Sequence, residues 1–257
     1  MAEYFSPGVY VEEYDNSPRA MEGVGTSTAG FIGFAEKGAT AGAPSLVTSY
    51  RSFVKQFGGP LSEFGYGEYR YLAPSVEQFF ANGGTRCYVS RVIPKDAKKA
   101  TAKKGFLDVA AANEGKWGNK IQITLNTVTK RKMQLVGKNG EAYIAKTVDG
   151  FREGDLVVAG EEYNRIKSIF DNSIVFEQEF KGEVVDTALI PATVVYLVET
   201  DMSIRYGEDV ENYAGLSTNI ANPNFFGYRL ANSELVKVNA GVSDVIGNPV
   251  EAILGEG

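Results

Sequence analysis

Apolar and polar positions follow two different rhythms along this chain. In the first half, short apolar runs alternate with stretches of helical spacing. Ala29-Gly30-Phe31-Ile32-Gly33-Phe34-Ala35 reads as a buried strand, and Gly38 to Pro44 as a loop. Tyr50, Phe53, Val54 and Phe57 recur at i, i+3, i+4 and i+7 behind Ser49, a good N-cap, so the spacing predicts a helix over 50–57 that Gly58-Gly59-Pro60 ends. Leu72 to Gly84 carries a proline in its first turn, an apolar face at Val76, Phe79 and Phe80, and two closing glycines, which predicts a second helix. Arg86 to Ile93 is the strand that follows. Strand, helix, helix, strand with crossover-length spacing predicts a mixed or parallel sheet.

From Ile121 the period changes to two. Ile121, Ile123 and Leu125 alternate with polar residues, and Met133–Val136, Ala142–Val148, Leu156–Ala159, Tyr163–Ile169 and Ser173–Phe176 read as short strands separated by Gly137-Lys138-Asn139-Gly140, Glu153-Gly154-Asp155 and Asp171-Asn172 turns. That rhythm predicts a small antiparallel β-sandwich or barrel closing near Val194–Val198. Beyond it come a strand pair at Met202–Tyr206 and Val210–Tyr213, a short helix capped by Asn222-Pro223-Asn224 and running to Leu230, and a strand at Leu235–Val238. At the other end, Val9, Tyr10, Val11, Glu12 and Glu13 have strand character but no local partner, and Pro7-Gly8 and Pro18 let them extend away from the body. Such a strand pairs at a distance, either by adding to another sheet or as an edge strand of its own domain. The expected fold is α+β, with an extended arm over 1–20, a mixed α/β core from 21–126 and 200–257, and a β-sandwich or barrel insertion over 127–199.

Charge supports that division. Residues 1–148 hold nineteen Lys/Arg and thirteen Asp/Glu, whereas residues 149–215 hold five and fifteen. An acidic unit therefore follows a basic one. The densest basic run, Lys95, Lys98, Lys99, Lys103 and Lys104, has only Phe106 beside it and no nucleic-acid motif, so it reads as a solvated linker.

The 257 residues, 44% hydrophobic and 23% charged, are enough for a sizeable core. They include no histidine and one cysteine, Cys87. Ser-His-Asp and Cys-His relays, His-ligated metal centres and intrachain disulfides are excluded on that ground. The N-terminus has no basic residue before Arg19 and no apolar stretch of the kind a secretory signal carries, so synthesis in a cytoplasm is expected. The longest near-apolar run, Ala188 to Val198, is about half the length of a membrane span. Gly23 to Gly30 precedes a strand and lacks the Gly-Lys-Ser/Thr ending of a phosphate loop. Glu12/Glu13 and Glu161/Glu162 are adjacent on strands and point to opposite faces, unsuited to paired acid/base work. Trp117, between turn residues just before a strand, reads as a structural anchor rather than a stacking platform. No enzyme activity, cofactor or metal is expected.

Four separated segments resemble one family, the tail sheath proteins of contractile phages and contractile injection particles. Ser6-Pro7-Gly8-Val9-Tyr10-Val11-Glu12-Glu13 is similar to its N-terminal arm, and residues 26–38, from Thr26-Ser27-Thr28 through Glu36-Lys37-Gly38, to its first core strand. Residues 79–92 resemble its helix-to-strand passage, and Glu114-Gly115-Lys116-Trp117-Gly118-Asn119 its entry into the β-sandwich domain. Residues 211–217 are a weaker echo of its return to the core sheet. The resemblance implies a subtilisin-like α/β core without protease activity, an outward-facing β insertion, and terminal arms that join subunits into hexameric rings stacked helically. It implies these partners: other copies of the chain through arm-strand addition, an inner tail tube protein, and baseplate and tail terminator proteins. Neither nucleic acid nor a membrane span is involved. The implied place is a virion tail or contractile injection particle assembled in the bacterial host cytoplasm, where contraction drives the tube through an envelope. Family members continue well past this length, so the core is expected to be incomplete at its C-terminal end. The alternative reading is a ligand- or carbohydrate-binding α/β protein with an accessory β-sandwich, which needs convergent polar residues in a pocket.

Overall fold

The computed structural model describes residues 28–104, 107–181, 193–238 and 250–253; the expected arm over 1–20 lies outside the described residues. Thr28–Gly33 (β1), Ser45–Val47 (β2) and Arg86–Arg91 (β3) form a mixed sheet in the order β1-β3-β2, with β1 parallel and β2 antiparallel to the central β3. Between β2 and β3 run the helices Tyr50–Phe57 (α1), Glu63–Tyr66 (α2) and Leu72–Ala81 (α3). Ser49 caps α1 by accepting from the Ser52 amide at 3.1 Å, and Gly58, at φ 87°, ends it by donating to the Val54 carbonyl. The face formed by Phe53, Phe57 and Val76 packs on Val47, Cys87 and Val89. The helices cover one side of the sheet only, and this corrects one expectation. β1 is not a buried strand: its residues alternate, and Ile32 is 79% exposed on the side without helices.

The chain then enters a second unit. Thr101–Lys104 (β4) and Leu107–Ala111 (β5) pair antiparallel, and Val236–Val238 (β15) joins β5 on its other side. The lysine-rich stretch is thus partly a strand rather than a solvated linker. Ala100 and Ala102 turn inward while Lys103 stays outside, an alternation that the lysine count hid. Gln122–Val128 (β6), Glu199–Tyr206 (β13), Asp209–Leu216 (β14) and Val250–Ile253 (β16) form the sheet β14-β13-β6-β16. Trp117, Ile121, Ile123, Ile204, Phe226 and Leu230 fill the core shared by these two sheets.

Lys132–Asn139 (β7), Ala142–Ala145 (β8), Leu156–Ala159 (β9), Glu162–Phe170 (β10), Ser173–Phe176 (β11) and Thr193–Leu197 (β12) close into a six-stranded barrel, in the order β10-β11-β8-β7-β12-β9. Met133, Leu135, Tyr143, Ile166, Ile174 and Val195 fill its interior. β6, although in phase with the period-two run, pairs with β13 outside the barrel, so that run spans two sheets. The barrel hangs between strands whose ends meet, Val128 opposite Glu199. The helix expected from Asn222 to Leu230 is a single turn, Phe226–Arg229 (α4), with Phe225 at its N-cap and no side-chain cap. Asn222 instead closes a local turn onto the Asn224 amide and turns its side-chain amide to Asp155.

Candidate functional site

Val9, Tyr10, Val11, Glu12 and Glu13 lie outside the described residues. Trp117 sits in a 3-10 turn, Lys116–Lys120, that leads into β6. It is 2% exposed and meets Tyr206 of β13 edge-on, ring centroids 5.3 Å apart and planes at 86°. Its neighbour Gly118 lies so close to Ala100 and Ala111 that an added Cβ would stand 2.7 and 2.8 Å from theirs. The indole nitrogen has no hydrogen-bond partner among the described residues, and the ring acts here through packing.

Beside it, the lobe formed by residues 28–93 meets the body formed by 98–128 and 199–238. Arg91, at the inward end of β3, is 7% exposed and donates to three carbonyls of the loop after β1: Nε to Ala35 at 3.0 Å, Nη1 to Gly38 at 3.0 Å and Nη2 to Glu36 at 3.1 Å. Burial lowers its pKa, opposed by Glu114, Tyr66 and Glu36. The loop so held presents its side chains to the body. Glu36 Oε1 accepts from the Tyr206 hydroxyl at 2.8 Å and from Lys120 Nζ at 3.3 Å. Lys37 Nζ pairs with Asp209 at 3.2 Å and stands 4.8 Å above the Tyr206 ring. The Gly38 amide donates to Asn113 Oδ1 and the Thr40 hydroxyl to Glu114 Oε2, each at 2.9 Å. Gly115, at φ 126°, lets the two segments approach; a Cβ there would stand 3.0 Å from Arg91 and 3.3 Å from the Glu36 carbonyl.

The electrostatics follow from that packing. Burial, then the Glu36 hydrogen bond and the charges of Glu36 and Asp209, push the Tyr206 phenol far above its usual range. Burial also raises Glu114, but hydrogen bonds from its own backbone amide and Thr40, with Lys99 and Arg91 nearby, outweigh it and hold the carboxyl below its ordinary value. A groove of about 660 Å³ runs along the junction, with Lys37, Lys55, Asp209, Glu211 and Tyr213 among its walls. Its charges are engaged internally: Lys55 with Glu234 at 3.1 Å, and Glu211 with Tyr213, Ser233 and the amides of Glu234 and Leu235. The arrangement holds two units together. No group of three or more Cys, Asp or Glu side chains among the described residues is placed to hold a metal ion, and no described helix is long and apolar enough to cross a membrane.

A second junction joins barrel to body. Asp155, fully buried, accepts from Asn219 Nδ2 at 2.7 Å and from the Arg152 amide at 2.9 Å, and Asn219 Nδ2 also reaches the Glu153 carbonyl at 2.8 Å. Arg165 Nη1 donates to the Gly154 carbonyl at 2.9 Å, and its Nη2 lies 3.5 Å from the Thr218 hydroxyl. Neither junction was found by reading the sequence for catalytic motifs. The one available signal was Arg91 itself, a charge in phase with the inward Cys87 and Val89.

Three of the four resembling segments converge, in their described residues, on the first junction: 28–38 as β1 and its loop, 79–92 as the end of α3 with β3 and Arg91, and 114–119 as the Gly115–Trp117 turn. Comparison with known proteins adds partial likenesses. No family model and no curated protein matches the chain. Two solved structures that align with it are a sheath tail protein from Listeria innocua, at 16% identity, and another from Desulfitobacterium hafniense, at 14%. Both are sheath tail proteins. The first alignment covers 66% of this chain and 33% of the Listeria protein, the second 74% and 38% of the Desulfitobacterium protein, each with a TM-score of 0.29. The chain thus spans about a third of the Listeria protein and 38% of the Desulfitobacterium one.

Proposed function

We propose that this chain is a structural, non-catalytic subunit of a contractile tail sheath, polymerising as stacked hexameric rings around an inner tube and shortening to drive that tube through a cell envelope. The observation that supports this reading best is the spatial convergence of the described residues of three segments, 28–38, 79–92 and 114–119. Each resembles sheath proteins separately in sequence, and together they build one junction around Arg91. In this reading Val9 to Glu13 add as a strand to a neighbouring copy, the barrel over 132–197 faces outward, and the tube, baseplate and terminator proteins are the other partners. The place is a virion tail or a contractile injection particle. Electron microscopy of particles from the producing cells, with an antibody to the barrel, tests it. The expected result is regular labelling along a helical sheath around a tube; label confined to soluble monomer in cells that make intact particles overturns the reading.

A further inference from the structure

The two junctions differ in kind, and that difference has a mechanical consequence. The barrel is tied to the body by a buried network around Asp155, where breaking a bond strands a desolvated charge. The lobe is tied by ion pairs that each keep an exposed member, 45% at Asp209 against 10% at Lys37, 69% at Lys120 against 30% at Glu36, and 61% and 72% at Lys55 and Glu234, beside partly buried hydrogen bonds from Tyr206, Gly38 and Thr40. Pairs of that exposure are weak and screened by salt. The lobe's apolar cluster, with Phe53, Phe57 and Val89, is separate from the body's, with Trp117, Ile123 and Phe226. Among the described residues the chain crosses between them once, through 92–99. Arg91 binds the 35–38 loop to the lobe's own β3, so that loop travels with the lobe and carries the latch on it.

We propose that the 28–93 lobe is a separately movable body, hinged at 92–99 and latched by Glu36 and Lys37 onto Tyr206, Lys120 and Asp209, while the barrel and body move as one. This goes beyond the sheath reading and does not depend on it. The groove along the junction gives the lobe room to shift without tearing an apolar core.

Amide hydrogen exchange on the full chain separates the outcomes. The Gly38 amide, bonded to Asn113 across the junction, reports opening of the latch. Amides of Cys87 to Ser90 in β3, the central strand of its sheet, report unfolding of the lobe itself. The expected result is that Gly38 exchanges at least about tenfold faster than those β3 amides in the native chain, because a latch of exposed pairs opens more often than a packed lobe unfolds. A further several-fold acceleration is expected in about 1 M salt and in Glu36→Gln/Asp209→Asn, with β3 unchanged. Asp209→Asn alone, at a half-exposed position, serves if the double variant folds poorly. If Gly38 and β3 exchange at one common rate that salt and both variants shift together or not at all, lobe and body are a single cooperative unit and the proposal is overturned.

Discussion

Arg91 occupies the position where the alternation of β3 would place a third apolar side chain after Cys87 and Val89. What admits a buried guanidinium there is the turn of the following loop, which aims three carbonyls at it. Arg91→Met keeps the stem and removes the donors, leaving those carbonyls without partners. The expected loss is about 3 kcal/mol of unfolding free energy, read from the denaturant midpoint; a change under about 0.5 kcal/mol shows that water replaces the arginine at no cost. Tyr213 offers a pH test. Burial and its hydrogen bond to Glu211 push its phenol up to about 12, with Ser233 and Arg229 pulling the other way. A pKa raised on folding means the folded chain holds this proton more tightly than the unfolded one. Its stabilising effect is therefore complete below the unfolded value of about 10 and is lost as pH rises from about 10 toward 12. Tyr213→Phe should flatten the decline in denaturation midpoint over that window. An unchanged decline assigns it to other groups, Tyr206 first.

Among the elements, helices were the more legible part of the sequence. Ser49 and Gly58 bracket α1, and both boundaries follow from local capping chemistry that needs no distant partner. α4 shows the limit: Asn222 has the chemistry of an N-cap, but its Oδ1 accepts from the Asn224 amide in a local turn and the helix starts later. Strands β7 to β12 were legible because a closed barrel has one wet and one dry face, which imposes period two. The same signal could not show that β6 belongs to another sheet, since pairing partners leave no mark on a single strand's alternation. The paired ends at Val128 and Glu199 suggest a clean excision. Replacing 132–197 with a short Gly/Ser linker should leave the remainder with one cooperative melt at a lower temperature, because Asn219 and Thr218 lose Asp155 and Arg165. Adding Asn219→Ala to the shortened chain should then cost only the local bond its Oδ1 takes from the Ala221 amide, less than the same change costs the full chain; loss of the cooperative melt on excision instead makes the barrel part of the body's fold.

For the whole molecule, the three large apolar clusters among the described residues, beside a small fourth of Leu156, Val158 and Val198, imply three stability levels rather than one. Among the described residues the barrel has no free strand edge, whereas the lobe's sheet has two edges and an uncovered face with Ile32, Leu46 and Tyr88 exposed. Hydrogen exchange should rank amides of Ile166 and Ile174 as slower than those of β3. Equal rates would show that the clusters unfold together. The sequence by itself determined α1, α3 and the run of barrel strands, the change of rhythm near residue 121, and the exclusion of histidine and disulfide chemistry. These are local or compositional facts, carried by spacing, capping residues and residue counts. Only the tertiary structure decided which strands pair, that one face of the lobe's sheet stays bare, and that Arg91, Glu36 and Lys37 form a junction with Tyr206 and Asp209. Those contacts join residues from 53 to 172 positions apart. A lysine or glutamate reads alike in sequence whether it ends in solvent or against a partner that only the folded chain brings near.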